Sequence, residues 1–129
     1  MNSAIRSKIK NMSLQLLVAE IERSIEFYTK KLDFEVAFRF EDFYAGLTKD
    51  GVSIHLKSAQ PAIEERENRR NNEHLDILFS VDGIHDIYEE MLNKAITIIQ
   101  PLRKMAYGKE FYITDPDGYI IAFVEENNS

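Results

Sequence analysis

A chain of 129 residues with 44% hydrophobic content is long enough for one core and too short for two large domains. It has no cysteine, so disulfides, thiolate metal ligands and thiol nucleophiles are excluded, and a reducing, cytoplasmic location is the expectation. The net charge of −6 argues against nucleic acid as a partner, and no apolar run approaches the ~20 residues of a membrane span.

Met1 to Lys10 lacks the apolar core of a signal peptide. Arg6, Lys8 and Lys10 make it locally basic, and residues 1–11 read as a solvated tail or arm. Met12 to Val18 is a strand with Leu14, Leu16 and Val18 on one face and Ser13, Gln15 and Leu17 on the other. Glu20 to Lys31 has helical spacing, with acids early and Lys30 and Lys31 late, as the helix dipole favours. Phe34 to Phe40 and Phe43 to Thr48 follow as strands. Lys49-Asp50-Gly51 signals a hairpin turn into Val52 to Lys57. That last strand puts Val52, Ile54 and Leu56 opposite Ser53, His55 and Lys57.

Ser58 to Glu73 is polar and reads as a crossing segment with a helical turn at Ile63 to Arg69. Leu75 to Val81 is the next strand, with Asp76, Leu78 and Ser80 on one side. A helix spans Ile84 to Lys94, a strand Ala95 to Gln100 ends at Pro101, and Leu102 to Ala106 form a loop. Glu110 to Thr114 and Tyr119 to Val124 form a hairpin about Asp115-Pro116-Asp117-Gly118, with Pro second and Gly fourth.

Strand, helix and three strands thus occur twice, and the segments Ile25 to Val36 and Ile87 to Ile98 share a helix-to-strand pattern. Two modules are too few for a solenoid, so a duplicated βαβββ unit is expected to pair its sheets around a shared cleft.

Two motifs, Val18 to Val36 (VAEIERSIEFYTKKLDFEV) and Tyr107 to Glu125 (YGKEFYITDPDGYIIAFVE), resemble the vicinal oxygen chelate superfamily of glyoxalase I, bleomycin resistance proteins and extradiol dioxygenases. The look is nearest the bleomycin-resistance and glyoxalase-like branch. The resemblance implies an α+β fold of two βαβββ modules forming curved mixed sheets around a cleft. A single domain at 12–126 then divides into module one at 12–58, a linker at 59–73 and module two at 74–126. This fold hosts unrelated chemistries, so reaction must be argued from the site.

Metal-dependent relatives carry a ligand at four inward positions, which fall here on Ser13, His55, Asp76 and Ala122. One imidazole and one carboxylate are too few for a zinc or nickel site, which takes three or more protein ligands. His74, two residues from Asp76, supplies an alternative set of His55, His74 and Asp76, with Ala122 still leaving a corner empty.

A strand histidine between Ile54 and Leu56 reads as a polar cavity wall. Asp76, between Leu75 and Ile77, needs a compensating partner in His55, Lys57 or a cationic ligand. Glu110 is expected to line the cleft beside Asp76. Phe38, Phe40, Phe43, Tyr44, Tyr107 and Tyr112 are available for stacking planar or cationic molecules. The ligand-binding set is therefore Ser13, Gln15, Phe38, His55, Lys57, Asp76, Glu110 and Tyr112, with no catalytic residue and no cofactor.

The leading expectation is a homodimeric, metal-independent protein that binds an organic small molecule. The resemblance further implies sequestration of a cationic, partly aromatic antibiotic. The rival is a glyoxalase-like lyase, isomerase or dioxygenase using a divalent ion, and a third reading is a degenerate module whose cleft is filled by its own side chains.

Overall fold

The structure, a computed structural model, describes residues 9–59 and 75–127. Module one runs β1 (Leu14–Val18), α1 (Ile21–Glu26), β2 (Glu35–Phe40), β3 (Tyr44–Lys49) and β4 (Val52–Ser58). Module two runs β5 (Ile77–Ser80), α2 (Ile84–Asn93), β6 (Ile98–Met105), β7 (Gly108–Thr114) and β8 (Ile120–Glu126). Each module makes one mixed four-stranded sheet, ordered β1-β4-β3-β2 and β5-β8-β7-β6, the expected α+β arrangement. In each, the first and last strands pair in parallel, a pairing that needs a long connection, supplied here by the intervening helix and two strands.

The period-two alternation decides which sheet face is buried. Leu16, Val18, Ile54 and Leu56 join Ile21, Ile25 and Tyr28 of the first helix in one apolar core. Phe111, Ile113, Ile121 and Phe123 extend that core into module two. Phe34 and Phe79 meet across the modules with ring centroids 6.3 Å apart.

Three expectations need correction. The first helix does not stay α-helical to Lys31: its last turn, Phe27–Lys31, is π-helical. The Thr29 hydroxyl there donates to the Ile25 carbonyl at 2.7 Å. The sixth strand does not end at Pro101 but continues to Met105, replacing the expected loop. β6 is an edge strand and Pro101 sits where its register with β7 shifts, so the missing N–H breaks no ladder. The strand expected at Leu75 to Val81 is confined to Ile77–Ser80. Apart from Ala59, the linker 59–73 with its turn at Ile63 to Arg69, and likewise His74 and residues 1–8, lie outside the described residues.

Asp115-Pro116-Asp117-Gly118 is where module two grips module one. Asp115 Oδ1 accepts from the Asp117 and Tyr119 N–H groups at 2.9 Å each, and Oδ2 accepts from the Tyr28 hydroxyl at 2.7 Å. Asp117 Oδ1 accepts from the Ala19 N–H at 2.9 Å and from Arg23 at 3.2 Å, while Oδ2 accepts from Ser24 at 3.0 Å. The Tyr119 hydroxyl donates to the Leu17 carbonyl at 2.8 Å and accepts from its N–H at 3.0 Å. Gly118, at φ 86°, turns the chain where a side chain would be strained.

Burial pushes the Asp115 carboxyl up to about 6, with Asp117 adding, against the opposing pull of its Tyr28 and Tyr119 hydrogen bonds. Burial, then the Asp115 carboxylate, likewise hold the Tyr28 phenol well above its ordinary value. The folded state therefore binds the Asp115 proton more tightly than the unfolded chain. Its stabilising effect is complete below about pH 4 and is lost as pH rises to about 6, roughly 3 kcal/mol in all. Thermal unfolding followed from pH 4 to 7 should show this decline in the native protein and a flatter profile in Asp115→Asn.

Candidate functional site

The outer face of sheet one is built by the alternate residues that the core does not take. In register, His55 on β4 stands between Gln15 on β1 and Gly46 on β3, and Gly46 faces Phe38 on β2. A Cβ at position 46 would run into the Phe38 ring, so glycine lets that ring lie down over the strand. The ring then meets His55 edge-on, with centroids 5.3 Å apart, and stacks on Tyr44 at 6.1 Å. Phe40 lies 5.6 Å from Phe38 and stacks on Phe43 at 6.4 Å. Phe40 and Phe43 are each 55% exposed, so this aromatic shelf is open to solvent.

The Tyr44 hydroxyl contacts Gln15 Oε1 at 3.1 Å and His55 Nδ1 at 2.8 Å. It has one proton, so it donates to one partner and accepts from the other. With Gln15 presenting its oxygen, His55 carries the proton on Nδ1 and leaves Nε2 as an acceptor. The shelf thus combines apolar stacking area with one directed imidazole.

The corresponding face of sheet two is closed by its own side chains. Glu110 is buried, and Oε2 accepts from Arg103 Nη2 at 2.6 Å, Arg103 Nε at 2.8 Å and the Tyr112 hydroxyl at 3.1 Å. The Tyr107 hydroxyl donates to Oε1. The Arg103 guanidinium also lies 5.5 Å from the Tyr112 ring centre and reaches Gln100 Oε1 at 3.2 Å. Burial alone would raise the Glu110 carboxyl, but the hydrogen bonds from Tyr107, Arg103 and Tyr112 outweigh it and hold the group below its ordinary value. Its hydrogen bond to Glu110, with burial assisting, raises the Tyr107 phenol to about 12.

Of the residues singled out from the sequence, Gln15, Phe38 and His55 come together on sheet one. Ser13 lies on the same strand as Gln15, its hydroxyl donating to Ser53 at 2.9 Å, and Lys57 pairs in register with Leu17 and Tyr44. Glu110 and Tyr112 come together on sheet two. Glu110 does not stand beside Asp76, contrary to expectation. Asp76 accepts from the Ile120 N–H at 2.9 Å, whereas Glu110 pairs with Val124, four residues further along β8 and about 13 Å away. A backbone amide therefore compensates Asp76, while His55 is engaged by Tyr44.

The sequence reading missed Tyr44 as the hub of the shelf and Arg103 as the partner of Glu110. Arg103 was legible through a hairpin closed at Ala106-Tyr107, which pairs position 103 with 110.

A divalent ion fits this donor set poorly. Ala122 offers no donor, Ser13 is bonded to Ser53, and among the described residues no three of His, Cys, Asp or Glu converge. The set of His55, His74 and Asp76 includes a residue outside those described.

Two helix-backed βαβββ modules, each a mixed four-stranded sheet whose first and last strands pair in parallel, define a vicinal-oxygen-chelate type of domain. Residues 12–123 match the model of the Glyoxalase/Bleomycin resistance protein/Dioxygenase superfamily, and the chain belongs to that superfamily. Among solved structures it is similar to UcmS2, with 19% identity and a TM-score of 0.76 over 93% of this chain and 100% of that one. It is also similar to TnmS3, an antibiotic binding protein from Streptomyces sp. CB03234: 13% identity, TM-score 0.73, over 94% of this chain and 98% of that one. A bleomycin-binding protein from Streptomyces verticillus, solved with copper(II)-bleomycin, matches at 16% identity and TM-score 0.69, over 94% of this chain and 99% of that one. No curated protein sequence matches the chain.

Proposed function

We propose that the protein binds an organic small molecule on the outer face of sheet one, without a metal ion. The observation that carries this reading is the exposed shelf of Phe38, Phe40, Phe43 and Tyr44 around the His55 imidazole. Stacked rings suit a planar or aromatic ligand, and the His55 Nε2 acceptor gives it one directed hydrogen bond. The net charge of −6 favours a cationic ligand. Likeness of fold to antibiotic-binding and bleomycin-binding proteins makes sequestration of an aromatic, cationic antibiotic the specific form of the proposal.

A second copy of the chain is the natural cover for so much exposed aromatic surface, so the working unit is a homodimer. Its setting is a reducing cytoplasm, and Ser13, Gln15 and Lys57 line the same face. Sedimentation should return twice the chain mass.

Thermal-shift screening of bleomycin-type glycopeptides and aromatic cationic compounds tests the ligand. Stabilisation by such compounds is expected, and Phe38→Ala should weaken their calorimetric affinity about tenfold by removing the stack. If all of them fail while a neutral metabolite stabilises the protein, drug sequestration is wrong. Binding should survive chelation. Stoichiometric metal that disappears in His55→Ala would establish the metal-dependent lyase, isomerase or dioxygenase instead.

A further inference from the structure

The two modules are related residue by residue, and the relation exposes a difference between their junctions. Leu14 pairs with Ile54 as Ile77 pairs with Ile121, and the helices begin at Ile21 and Ile84. Tyr28 therefore corresponds to Met91, Ser24 to Ile87, Asp115 to Lys49 and Tyr119 to Val52. At the first junction those residues interlock: Asp115 holds Tyr28, Asp117 holds Ser24, and Tyr119 reaches Leu17. At the second, Met91, Ile87 and Val52 lack the hydroxyls of Tyr28, Ser24 and Tyr119, Lys49 puts an ammonium group where Asp115 has a carboxylate, and none of these bonds forms among the described residues. A cleft of about 450 Å³ stands in their place, with Lys31 to Phe34 of module one on one side. That volume falls within the range of small-molecule sites.

The chemistry of this cleft is uneven. Its floor carries Phe34, Phe79 and Phe123, with Phe79 and Phe123 centroids 5.5 Å apart. Its rim carries the carboxylates Asp33, Asp50, Asp82 and Glu90 against the ammonium groups of Lys31 and Lys49. Lys94 neutralises Asp33 and Glu90, at 3.8 and 3.0 Å, and Lys49 lies 3.8 Å from Asp50. Asp82 is exposed and has no ion-pair partner among the described residues.

We propose that this second junction is a binding site for a small amphipathic organic cation, separate from the aromatic shelf. The apolar body lies on the phenylalanine floor and the ammonium group faces Asp82 at the rim. Met91 is a built-in reporter, because it lines the cleft while Met12 and Met105, the other methionines among the described residues, do not.

The full chain, labelled with ¹³C at its methionine methyl groups, should be titrated with 4-phenylbutylamine and with 4-phenylbutan-1-ol. The amine is expected to shift the Met91 resonance saturably, and the alcohol to bind about fivefold more weakly for want of the charge. Asp82→Asn should erase that preference. Val52→Tyr, which installs the residue found at the filled junction, should abolish the shift, while Phe38→Ala should leave it unchanged. A Met91 resonance that stays fixed, or that follows amine and alcohol equally, overturns the proposal. So does an unaltered titration in Val52→Tyr. A Met91 shift lost in Phe38→Ala would place the amine on the shelf and overturn the second site alone.

Discussion

Asp117→Ala is expected to destabilise the protein by about 3 kcal/mol and to lower its thermal midpoint by roughly 10 °C. Urea titration and calorimetry measure both. The carboxylate is buried and takes hydrogen bonds from Ala19, Ser24 and Arg23, all at the start of the first helix. Truncation removes the acceptor from the half-buried Ala19 N–H and from the fully buried Ser24 hydroxyl, and desolvation of the latter is the main cost. Glu89→Ala, an exposed helix carboxylate, should change stability by no more than about 0.5 kcal/mol. A loss below about 1 kcal/mol in Asp117→Ala would show that the junction holds without help from the Asp117 carboxylate.

The same two aspartates mark the limit of what the sequence makes legible. Asp-Pro-Asp-Gly declares a turn because the signal is local: a fixed proline φ and a glycine that tolerates positive φ. That both carboxylates turn back to hold residues 87 to 98 positions away is a tertiary fact with no local signal. Faces were legible throughout. The alternation of Val52 to Lys57 and of Leu14 to Val18 assigns core and outer sides as observed, because burying one face of a sheet fixes register. Position along a strand was less so, and Glu110 and Asp76 share a face yet sit at opposite ends of β8. A Pro normally ends a strand, which hid Arg103 until β6 proved to be an edge.

The two outer faces differ for a physical reason that bears on the proposed ligand. Sheet one has glycine at position 46, where sheet two has Tyr112 in the same register beside the last strand. Glycine admits a ring borrowed from the neighbouring strand and leaves the shelf open, whereas Tyr112 fills its own position and joins a closed polar network. Sheet one is therefore the face with surface to offer, and sheet two the face whose polar groups are already satisfied.

Arg103→Met tests that closed network and should cost about 3 kcal/mol at pH 7. Methionine keeps much of the volume over Tyr112 but withdraws both guanidinium bonds from Glu110, leaving a buried carboxylate served only by Tyr107 and Tyr112. The sign of the pH dependence separates this cause from lost packing. In the native protein the Glu110 carboxyl is held low, so its contribution is present above the ordinary glutamate range and disappears as pH falls through the lowered value. Without Arg103, burial dominates and raises the carboxyl, so the folded variant takes up a proton more readily than its unfolded chain. The stability gap between the two proteins should then narrow on acidification from pH 7 to about 4, as Glu110 is neutralised in the variant. Denaturant unfolding at pH 7, 5.5 and 4 measures the gap directly. A gap that stays constant over that range would assign the loss to packing against Tyr112. The double variant Arg103→Met with Glu110→Gln should recover part of the stability at pH 7, because the uncompensated charge is then gone.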